Sequence, residues 1–569
     1  MPPTMVTYFT FSEFNGGVRA TPEQFRSELS TFNCGPVIYL CGVMNSMLRD
    51  WQGHSDTEAH DTFVRNSFPP EFANRILSEC HNPQQPRGLY HRQQLLFVCK
   101  EAVLACPESG GKDPVDLPFG GGIGKVLLMA NDLLPKRVTG PAPTEEQMIN
   151  VLSEFIPIAE ASGFNKAVHK IVRSHLMLDH YPNNGRGEIE KVFKQGIGIS
   201  LGDYLALCFA TLCRYSNLDY KKYVANPNEF VLTQDWYRTT PLPPQALSMF
   251  LNEISATSSE FRTLLERKKY ASNDFTCFKS KPLLRDGENH FLIDPIFLAA
   301  KGESGTFWRI NEALSGPARL RFHANWGLAF EGYINWLMTE SVDGAKNQCH
   351  PNPKFADNGE EVCDAIVVCG NSALFIESKG ATLTAEAKYG SDPSKLKKEI
   401  DEKFIHDGER EVGIGQLALR IVEAFDCKRP RRIEGLDLSG VDKVFPVLVT
   451  RDDIGAALVM NAYLAHRFRQ LFRRKAASVT VTPPQSLSAQ DVEMICGYLK
   501  DASFADLLEG RYRNDRNLLS TFWAVDNAVV DRIGDRECKP FADALHNYFE
   551  KVETALFPHE RDSGQMPHS

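Results

Sequence analysis

The segment from residue 322 to residue 379 changes from a helical to a strand-like spacing of its apolar residues. Residues 322–338, FHANWGLAFEGYINWLM, predict a helix with an apolar stripe formed by Trp326, Phe330, Tyr333 and Leu337. EEVCDAIVVCG and SALFIESKG follow as two apolar runs of strand length, and the Gly370-Asn371 pair between them is a hairpin signal. We therefore expect one helix followed by two antiparallel strands.

Two further elements continue this pattern towards residue 450. GIGQLALRIVEAF predicts a helix that turns Leu417, Ile421 and Phe425 towards the sheet, and residues 443–450, KVFPVLVT, predict a buried strand. Another strand, weakly marked, is expected within residues 340–356. The order helix, strand, strand, strand, helix, strand predicts an α/β (α+β) core of αβββαβ type with a mixed sheet flanked by helices.

The flanking regions have different patterns. The first 240 residues are predicted to be mainly helical, with capping boxes at 21–24 and 144–147. Residues 275–295 predict a hairpin of FTCFKSKPLL, the turn RDGE and HFLIDP, and a capping box at 488–491 opens a small helical C-terminal region. With proline-rich joints at 240–244 and 482–485, these patterns predict four regions: 1–240, 241–320, 321–481 and 482–569. The third region is the αβββαβ core, and the first is expected to serve recognition, regulation or partner docking.

Composition excludes several classes of protein. The 63 Lys and Arg residues face 72 Asp and Glu residues, giving a net charge of -9, so the chain is not a histone-like polycation. It would have to meet a nucleic acid through a local basic face. Hydrophobic residues make up 43% of the chain, which excludes a largely disordered protein.

Targeting and cofactor signals are largely missing from the sequence. The start, MPPTMVTYFTFSEFNGG, lacks the pattern of a signal peptide, and no apolar run has the length of a membrane helix. The fourteen cysteines form no CxxC pair, which favours free thiols in a cytoplasmic protein over a zinc site. FGGGIGK, residues 119–125, has Phe119 and Val126 where a phosphate loop needs glycine and a hydroxyl residue, so we expect no ATP site.

Charged side chains cluster where the two central strands end. Glu377 and Lys379 point to the same side of their strand, about 7 Å apart, and Asp364 stands at the entrance of the paired strand. Two carboxylates together with the backbone carbonyl of Ser378 form an oxygen-rich site that suits Mg²⁺, with Mn²⁺ as a substitute. Lys379 can orient an attacking water or stabilise developing negative charge, and Glu331 can hold the water or a second ion.

These features resemble the PD-(D/E)XK nuclease superfamily, the restriction-endonuclease-like fold. The resemblance covers about 130 residues and rests on Asp364, the Glu377-x-Lys379 motif and the order of the elements around them. It implies that Asp364 and Glu377 are metal ligands, that Lys379 is the catalytic lysine and that Glu331 is the acid of the first helix. It also implies that Gln416 is the glutamine that many members carry on the following helix.

The resemblance implies a Mg²⁺-dependent phosphodiesterase that acts on nucleic acid, with DNA favoured over RNA and endonuclease favoured over exonuclease action. Prokaryotic anti-phage defence or restriction is the expected setting, and a protein partner or a homo-oligomer is a further expectation. Basic side chains on two flanking segments are expected to contact phosphates: Arg420, Lys428, Arg429, Arg431, Arg432, Arg467, Arg469, Arg473, Arg474 and Lys475.

Other interpretations of the same residues stay open. Asp364, Glu377 and Lys379 could form a surface ion-pair set on an exposed hairpin, although the apolar runs AIVV and ALFI predict that both faces of the sheet are covered. The fold could also serve as a nucleic-acid-binding or assembly module without cleavage, and intact Asp, Glu and Lys argue against that. An RNase is the third alternative.

Overall fold

The structure is a computed structural model with mixed α/β architecture. It describes residues 7–48, 57–82, 87–114, 122–134, 144–162, 167–216, 226–267, 273–390, 392–452, 454–457, 459–472, 478–513 and 527–558.

Helices dominate the first 216 residues, as the sequence predicts. The capping boxes at 21–24 and 144–147 are formed. The elements are β1 (Thr7–Tyr8), α1 (Phe11–Phe14), α2 (Pro22–Leu29), α3 (Cys34–Met47), α4 (Thr57–Ser67), α5 (Pro70–Cys80), β2 (Arg87–Gly88), α6 (Arg92–Ala105), α7 (Ile123–Leu133), α8 (Glu145–Ser162), α9 (Ala167–Asp179), α10 (Asn183–Ile197) and α11 (Leu201–Ser216).

The connecting region contains a small sheet of order β3-β6-β5-β4. Its elements are β3 (Val231–Leu232), α12 (Pro244–Ile254), β4 (Ser255–Ala256), α13 (Ser258–Glu266), α14 (Thr276–Ser280), β5 (Leu283–Asp286), β6 (Asn289–Leu292), α15 (Pro295–Ala300), a π-helical turn (Lys301–Gly305) and α16 (Thr306–Ala313). The predicted hairpin is present as β5 and β6. Its first half is wrong, however, because residues 276–280 form α14 with Cys277 and Phe278 buried on one side.

The larger sheet lies in the third region. Its elements are α17 (Gly316–Ser341), β7 (Gln348–Pro351), β8 (Ala365–Cys369), β9 (Ser372–Lys379), α18 (Ala385–Tyr389), α19 (Pro393–Phe404), β10 (His406–Asp407), β11 (Arg410–Glu411), α20 (Ile414–Ala424), β12 (Lys443–Thr450), α21 (Met460–Phe472), β13 (Thr480–Val481) and β14 (Gln485–Ser488). The last part of the chain contributes α22 (Ala489–Cys496), α23 (Phe504–Arg513), α24 (Asn527–Ile533) and α25 (Lys539–Leu556).

The sheet is mixed: β8 is antiparallel to both β7 and β9, and β12 is parallel to β9. β13 and β14 both pair in parallel with β12 along its other edge. Residues 485–488 therefore belong to the sheet, although the sequence assigns them to the helical C-terminal region. The four strands predicted from the sequence, one within 340–356, two within 365–379 and one at 443–450, are all present.

Both faces of the sheet are covered, as the two apolar runs predict. Leu374 and Ile376 pack into the cluster that contains the α17 stripe, while Ala373 and Phe375 pack on the opposite face against Leu417 and its neighbours on α20. Glu377 and Lys379 continue the Phe375 side of β9, since alternate residues of a strand share a face. The hairpin is therefore not an exposed surface feature.

A buried ionic network joins the N-terminal region to the C-terminal one beneath this sheet. Arg173 on α9 donates from Nε to Glu493 Oε1 on α22 over 2.5 Å and from Nη1 to Glu303 Oε1 over 2.5 Å. Tyr333 on α17 donates its hydroxyl to Glu493 Oε1 over 2.7 Å. Burial raises the pKa of Glu493, but Arg173 and His169 together outweigh burial and lower that pKa to about 2. The hydrogen bond from Tyr333 thus ties α17 to Arg173 of the N-terminal region and Glu493 of the C-terminal region.

Within the described residues, no single helix is both long enough and apolar enough to cross a membrane. α10 and α11 taken together meet these two criteria, but a bend of 64° separates them.

Candidate active site at the ends of β8 and β9

The hairpin register brings Asp364 to Glu377. Ala365 pairs with Ile376, so the same register continued by one residue sets Asp364 opposite Glu377. The Ser378 backbone N–H donates to Asp364 Oδ2 over 2.5 Å, which fixes the carboxylate against β9. Glycine at position 370, with φ near 60°, permits the tight turn that sets this register.

Glu377 is almost fully buried beside its lysine. Its side chain is 1% exposed, and Oε1 accepts a 2.6 Å hydrogen bond from Lys379 Nζ. The second oxygen, Oε2, is also buried and has no hydrogen-bond partner among the described residues. Burying an unpartnered carboxylate oxygen is unfavourable by more than a typical hydrogen bond contributes. The geometry therefore leaves one lone-pair donor of Glu377 available to a ligand.

Three carboxylates, one of them that of Asp364, form a close group at this end of the hairpin. Oxygens of Glu331 from α17, Glu361 from the loop before β8 and Asp364 all lie within 4.8 Å of one another. Sequence reasoning identified Glu331 and Asp364 but missed Glu361. The only signal for Glu361 was its place three residues before Asp364, and an acid in a polar loop is ordinarily a solvated one.

The pKa values of the cluster record the concentration of negative charge. Burial, followed by the charges of Glu361 and Glu377, raises the pKa of Glu331 to about 7. Burial, followed by Glu377 and Glu331, raises the pKa of Asp364 well above its ordinary value. Burial also raises the pKa of Glu377, although Lys379 opposes that rise. Lys379 supplies the ammonium group close to these four acidic residues, and the site therefore favours the binding of a cation.

Lys379 keeps its charge in this environment. Burial on its own lowers the pKa of a lysine, but Glu377 and Asp364 outweigh burial, and the net shift of the Lys379 pKa is upward. The side chain is therefore a hydrogen-bond donor and a positive charge at neutral pH.

Two asparagines donate hydrogen bonds to residues of the carboxylate cluster. Asn335 on α17 donates from Nδ2 to the Asp364 carbonyl oxygen over 3.2 Å. The Asn352 amide, oriented by its partners, donates to Glu331 Oε1 over 2.8 Å. Asn352 has a φ of 49°, a left-handed conformation that asparagine tolerates better than most residues. Neither residue had a recognisable sequence signal.

The side chains of Gln416 and Ser378, the other predicted site residues, make no hydrogen bond to the carboxylate cluster. Gln416 lies in the first turn of α20, which packs against β9, and its side chain makes no hydrogen bond to the described part of the chain. Ser378 contributes its backbone N–H to Asp364, while its hydroxyl is buried without a partner among the residues that the structure describes. The structure thus brings together Asp364, Glu377, Lys379 and Glu331, and adds Glu361.

The predicted basic contacts fall into different environments. Arg420 and Arg431 are held in ion pairs with Glu360 and Glu423 beside Phe355. Arg467 pairs with Glu145 and Asp401.

The remaining basic residues of the prediction differ in exposure. Lys428, Arg429 and Arg432 are exposed and make no side-chain ion pair within the described ranges, and Arg469 is exposed and donates to the Ala465 carbonyl oxygen. Arg473, Arg474 and Lys475 lie outside the described residues.

No protein-family model, curated protein or solved structure matches this chain. Its chemistry has to be argued from the cluster itself.

Proposed function

We propose that the chain is a divalent-metal-dependent nuclease that hydrolyses phosphodiester bonds, with DNA as the favoured substrate. The observation that carries the proposal is the buried Glu377–Lys379 pair, whose second carboxylate oxygen has no partner among the described residues and which Asp364 faces across the hairpin. A structural ion pair needs one acid for one base. Here Asp364, Glu331 and Glu361 add three carboxyl groups, and no described cation forms an ion pair with any of them.

The surrounding elements support this interpretation. α17, β7, β8, β9, α20 and β12 follow the order of the αβββαβ core that the resemblance to PD-(D/E)XK nucleases implies, with two short helices and a small hairpin inserted before α20. The acid of the first helix, the acid before β8 and the Glu-x-Lys pair on β9 are the residues that support this proposal.

The donor set fits Mg²⁺ or Mn²⁺. All candidate side-chain ligands are carboxylate oxygens, which hard divalent cations prefer, and the group of close ligand atoms among the described residues contains no thiol or imidazole. Asp364 and Glu377 would hold the ion, with Glu331 and Glu361 as further ligands or as acceptors for its bound waters. Such an ion, when bound, lowers the pKa of water and shields the negative charge that develops on phosphate.

The chain's own side chains supply the rest of the chemistry. Lys379 donates a hydrogen bond to the attacking water or to a phosphate oxygen, and its charge offsets the charge that develops there. Asn352 holds Glu331 in a fixed position, so that an acceptor for a water proton stays aimed into the cluster.

Exposed Lys428, Arg429 and Arg432 on the loop after α20 give an acidic protein a local basic surface for a polyanion. A cytoplasmic location and a role in anti-phage defence stay predictions. Cleavage of RNA, or binding without cleavage, would show as a distinct outcome of the experiment below.

The experiment incubates purified full-length protein with linear DNA, circular DNA and RNA, in Mg²⁺, in Mn²⁺ and in EDTA. We expect cleavage with metal ions and none in EDTA, and cleavage of circular DNA identifies an endonuclease. Asp364→Asn and Glu377→Gln keep the side-chain shape and should abolish cleavage, while Glu340→Gln, an exposed acid on the same helix as Glu331, should not change it. Cleavage by both site variants at the wild-type rate would refute the proposal.

A further inference from the structure

The chain between β7 and β8 carries three residues of the candidate site. These are Asn352, Glu361 and Asp364, and we call residues 352–364 the acidic loop. The Asn352 backbone N–H donates to the Asp364 carbonyl oxygen over 2.9 Å, which closes the loop at its base. Residues 356–361 are exposed to solvent, so burial in the core does not determine where Glu361 lies. Its position depends on specific contacts of the loop.

Arg431 makes most of these contacts. It donates from Nε to Asp357 Oδ2 over 3.0 Å and from Nη2 to Asp357 Oδ1 over 2.7 Å, so the pair is bidentate. It also donates from Nη2 to Asn358 Oδ1 over 2.7 Å and from Nη1 to Glu360 Oε2 over 3.3 Å. The guanidinium carbon lies 3.7 Å from the centre of the buried Phe355 ring. One side chain therefore binds four residues of the acidic loop.

A second arginine connects the acidic loop to α20. Arg420 donates from Nη1 to Glu360 Oε2 over 3.3 Å and to Glu423 Oε2 over 2.8 Å. The same Glu423 oxygen lies 3.5 Å from Arg431 Nη1, so both arginines share the two carboxylates. Because α20 packs against β9, these ion pairs hold the acidic loop at a fixed position relative to the strand that carries Glu377.

We propose that Arg431 is a positioning residue of the metal site, which fixes the acidic loop so that the Glu361 carboxylate stays beside Glu331 and Asp364. Oxygens of these three acids lie within 4.8 Å of one another, and Glu361 directly follows Glu360, which Arg431 binds. Carboxylates repel one another when no cation is bound, so an acid on an exposed loop needs an anchor to stay in the group. This inference rests on the proposed nuclease function and replaces the phosphate contact that the sequence predicts for Arg431.

The test titrates the full-length protein with Mn²⁺ in the absence of nucleic acid and follows the electron paramagnetic resonance signal of the free ion. Arg431→Gln removes the bidentate pair and should weaken Mn²⁺ binding about tenfold, as loss of a group that orients metal ligands does. Arg431→Lys keeps the charge without the planar fork and should recover only part of that loss. The affinity for duplex DNA in EDTA, and its dependence on salt, should not change in either variant, because the contacts of Arg431 are with carboxylates.

Two further variants separate the contact from a general loss of charge or stability. Arg432→Gln changes the neighbouring arginine, which is exposed and makes no side-chain ion pair within the described residues, and should leave the Mn²⁺ affinity unchanged. Asp357→Ala removes the same bidentate pair from the side of the acidic loop and should weaken Mn²⁺ binding to a similar extent. The double variant Arg431→Gln/Asp357→Ala should lose no more than either single variant, because both remove one interaction. Thermal unfolding in EDTA shows that each variant is folded at the assay temperature.

The outcomes distinguish this inference from the proposed function. Unchanged Mn²⁺ affinity in both Arg431→Gln and Asp357→Ala would overturn the positioning role and leave the nuclease assignment standing. Unchanged Mn²⁺ affinity with a flatter salt dependence of DNA binding in Arg431→Gln would also overturn it, in favour of a phosphate contact. Weakened Mn²⁺ binding in the variants of a protein that cleaves no nucleic acid would overturn the nuclease assignment and keep the positioning role. Absence of Mn²⁺ binding by the wild type would overturn both.

Discussion

Replacing Glu331 with glutamine should stabilise the metal-free protein while impairing the site. The half-buried carboxyl has its pKa raised to about 7 from an ordinary value of 4.5, by burial first and then by Glu361 and Glu377. The folded protein therefore resists ionisation of Glu331 more than the unfolded chain does. Glutamine keeps the oxygen that accepts a hydrogen bond from Asn352 and removes the charge.

The size of the effect follows from that pKa difference. A rise from 4.5 to about 7 corresponds to roughly 3.4 kcal/mol at 1.36 kcal/mol per pKa unit. Because Glu331 is only half-buried, solvent screening reduces this to about 1.5–2 kcal/mol. The destabilisation is absent below about pH 4.5, where both states are protonated, grows between pH 4.5 and 7 and is complete above about pH 7.

The assay is thermal unfolding of wild type, Glu331→Gln and Glu340→Gln in EDTA from pH 4.5 to 8. We expect Glu331→Gln to match the wild type at pH 4.5 and to unfold about 1–2 °C higher at pH 8, with Glu340→Gln unchanged throughout. Excess Mn²⁺ should narrow the difference at pH 8, because an ion that binds the native state stabilises the wild type more. A difference that does not vary with pH, or a less stable Glu331→Gln at pH 8, would refute the reasoning.

Three further predictions concern other charges. Lys379→Met should slow cleavage at least about 100-fold in single-turnover kinetics, while the affinity for duplex DNA in Ca²⁺ changes little. A loss of affinity with a normal cleavage rate would instead make this lysine a substrate-binding residue. Arg173→Met removes the closest cation from two buried carboxylates and should lower the free energy of unfolding, measured in urea, by about 3–5 kcal/mol. The surface change Arg186→Met should lower it by under about 0.5 kcal/mol, and equal effects of the two variants would contradict the importance of the network. Lys428→Ala combined with Arg429→Ala should flatten the salt dependence of duplex binding by about one to two units, and an unchanged slope would place the DNA elsewhere.

The parts of the fold that were predictable are those with local signals. β8 and β9 are two apolar runs separated by a Gly-Asn turn, and β12 coincides with the run at 443–450. β14 is different: QSLS has a single apolar residue, and it is a strand because β12 offers it a parallel partner. A strand defined by long-range pairing leaves no periodicity in its own sequence.

The residues of the candidate site divide in the same way, into those with a local sequence signal and those without one. Asp364, Glu377 and Lys379 were predictable because strand alternation and a two-residue turn determine which side chains meet. Glu361 and Asn352 reach the cluster through the irregular chain between β7 and β8, whose path depends on contacts such as the Phe355–Ile433 bridge.

The Arg173 network also bears on the order in which the protein can be completed during synthesis. Arg173 and its partner Glu493 are 320 residues apart. At about 5–20 residues per second, the ribosome needs roughly 16–64 s to supply the acid after the base has been made. Tyr333, two residues from Glu331, donates to that same Glu493. The helix that presents Glu331 therefore gains this hydrogen bond only when residue 493 of 569 has emerged, which delays a complete acidic cluster until most of the protein exists.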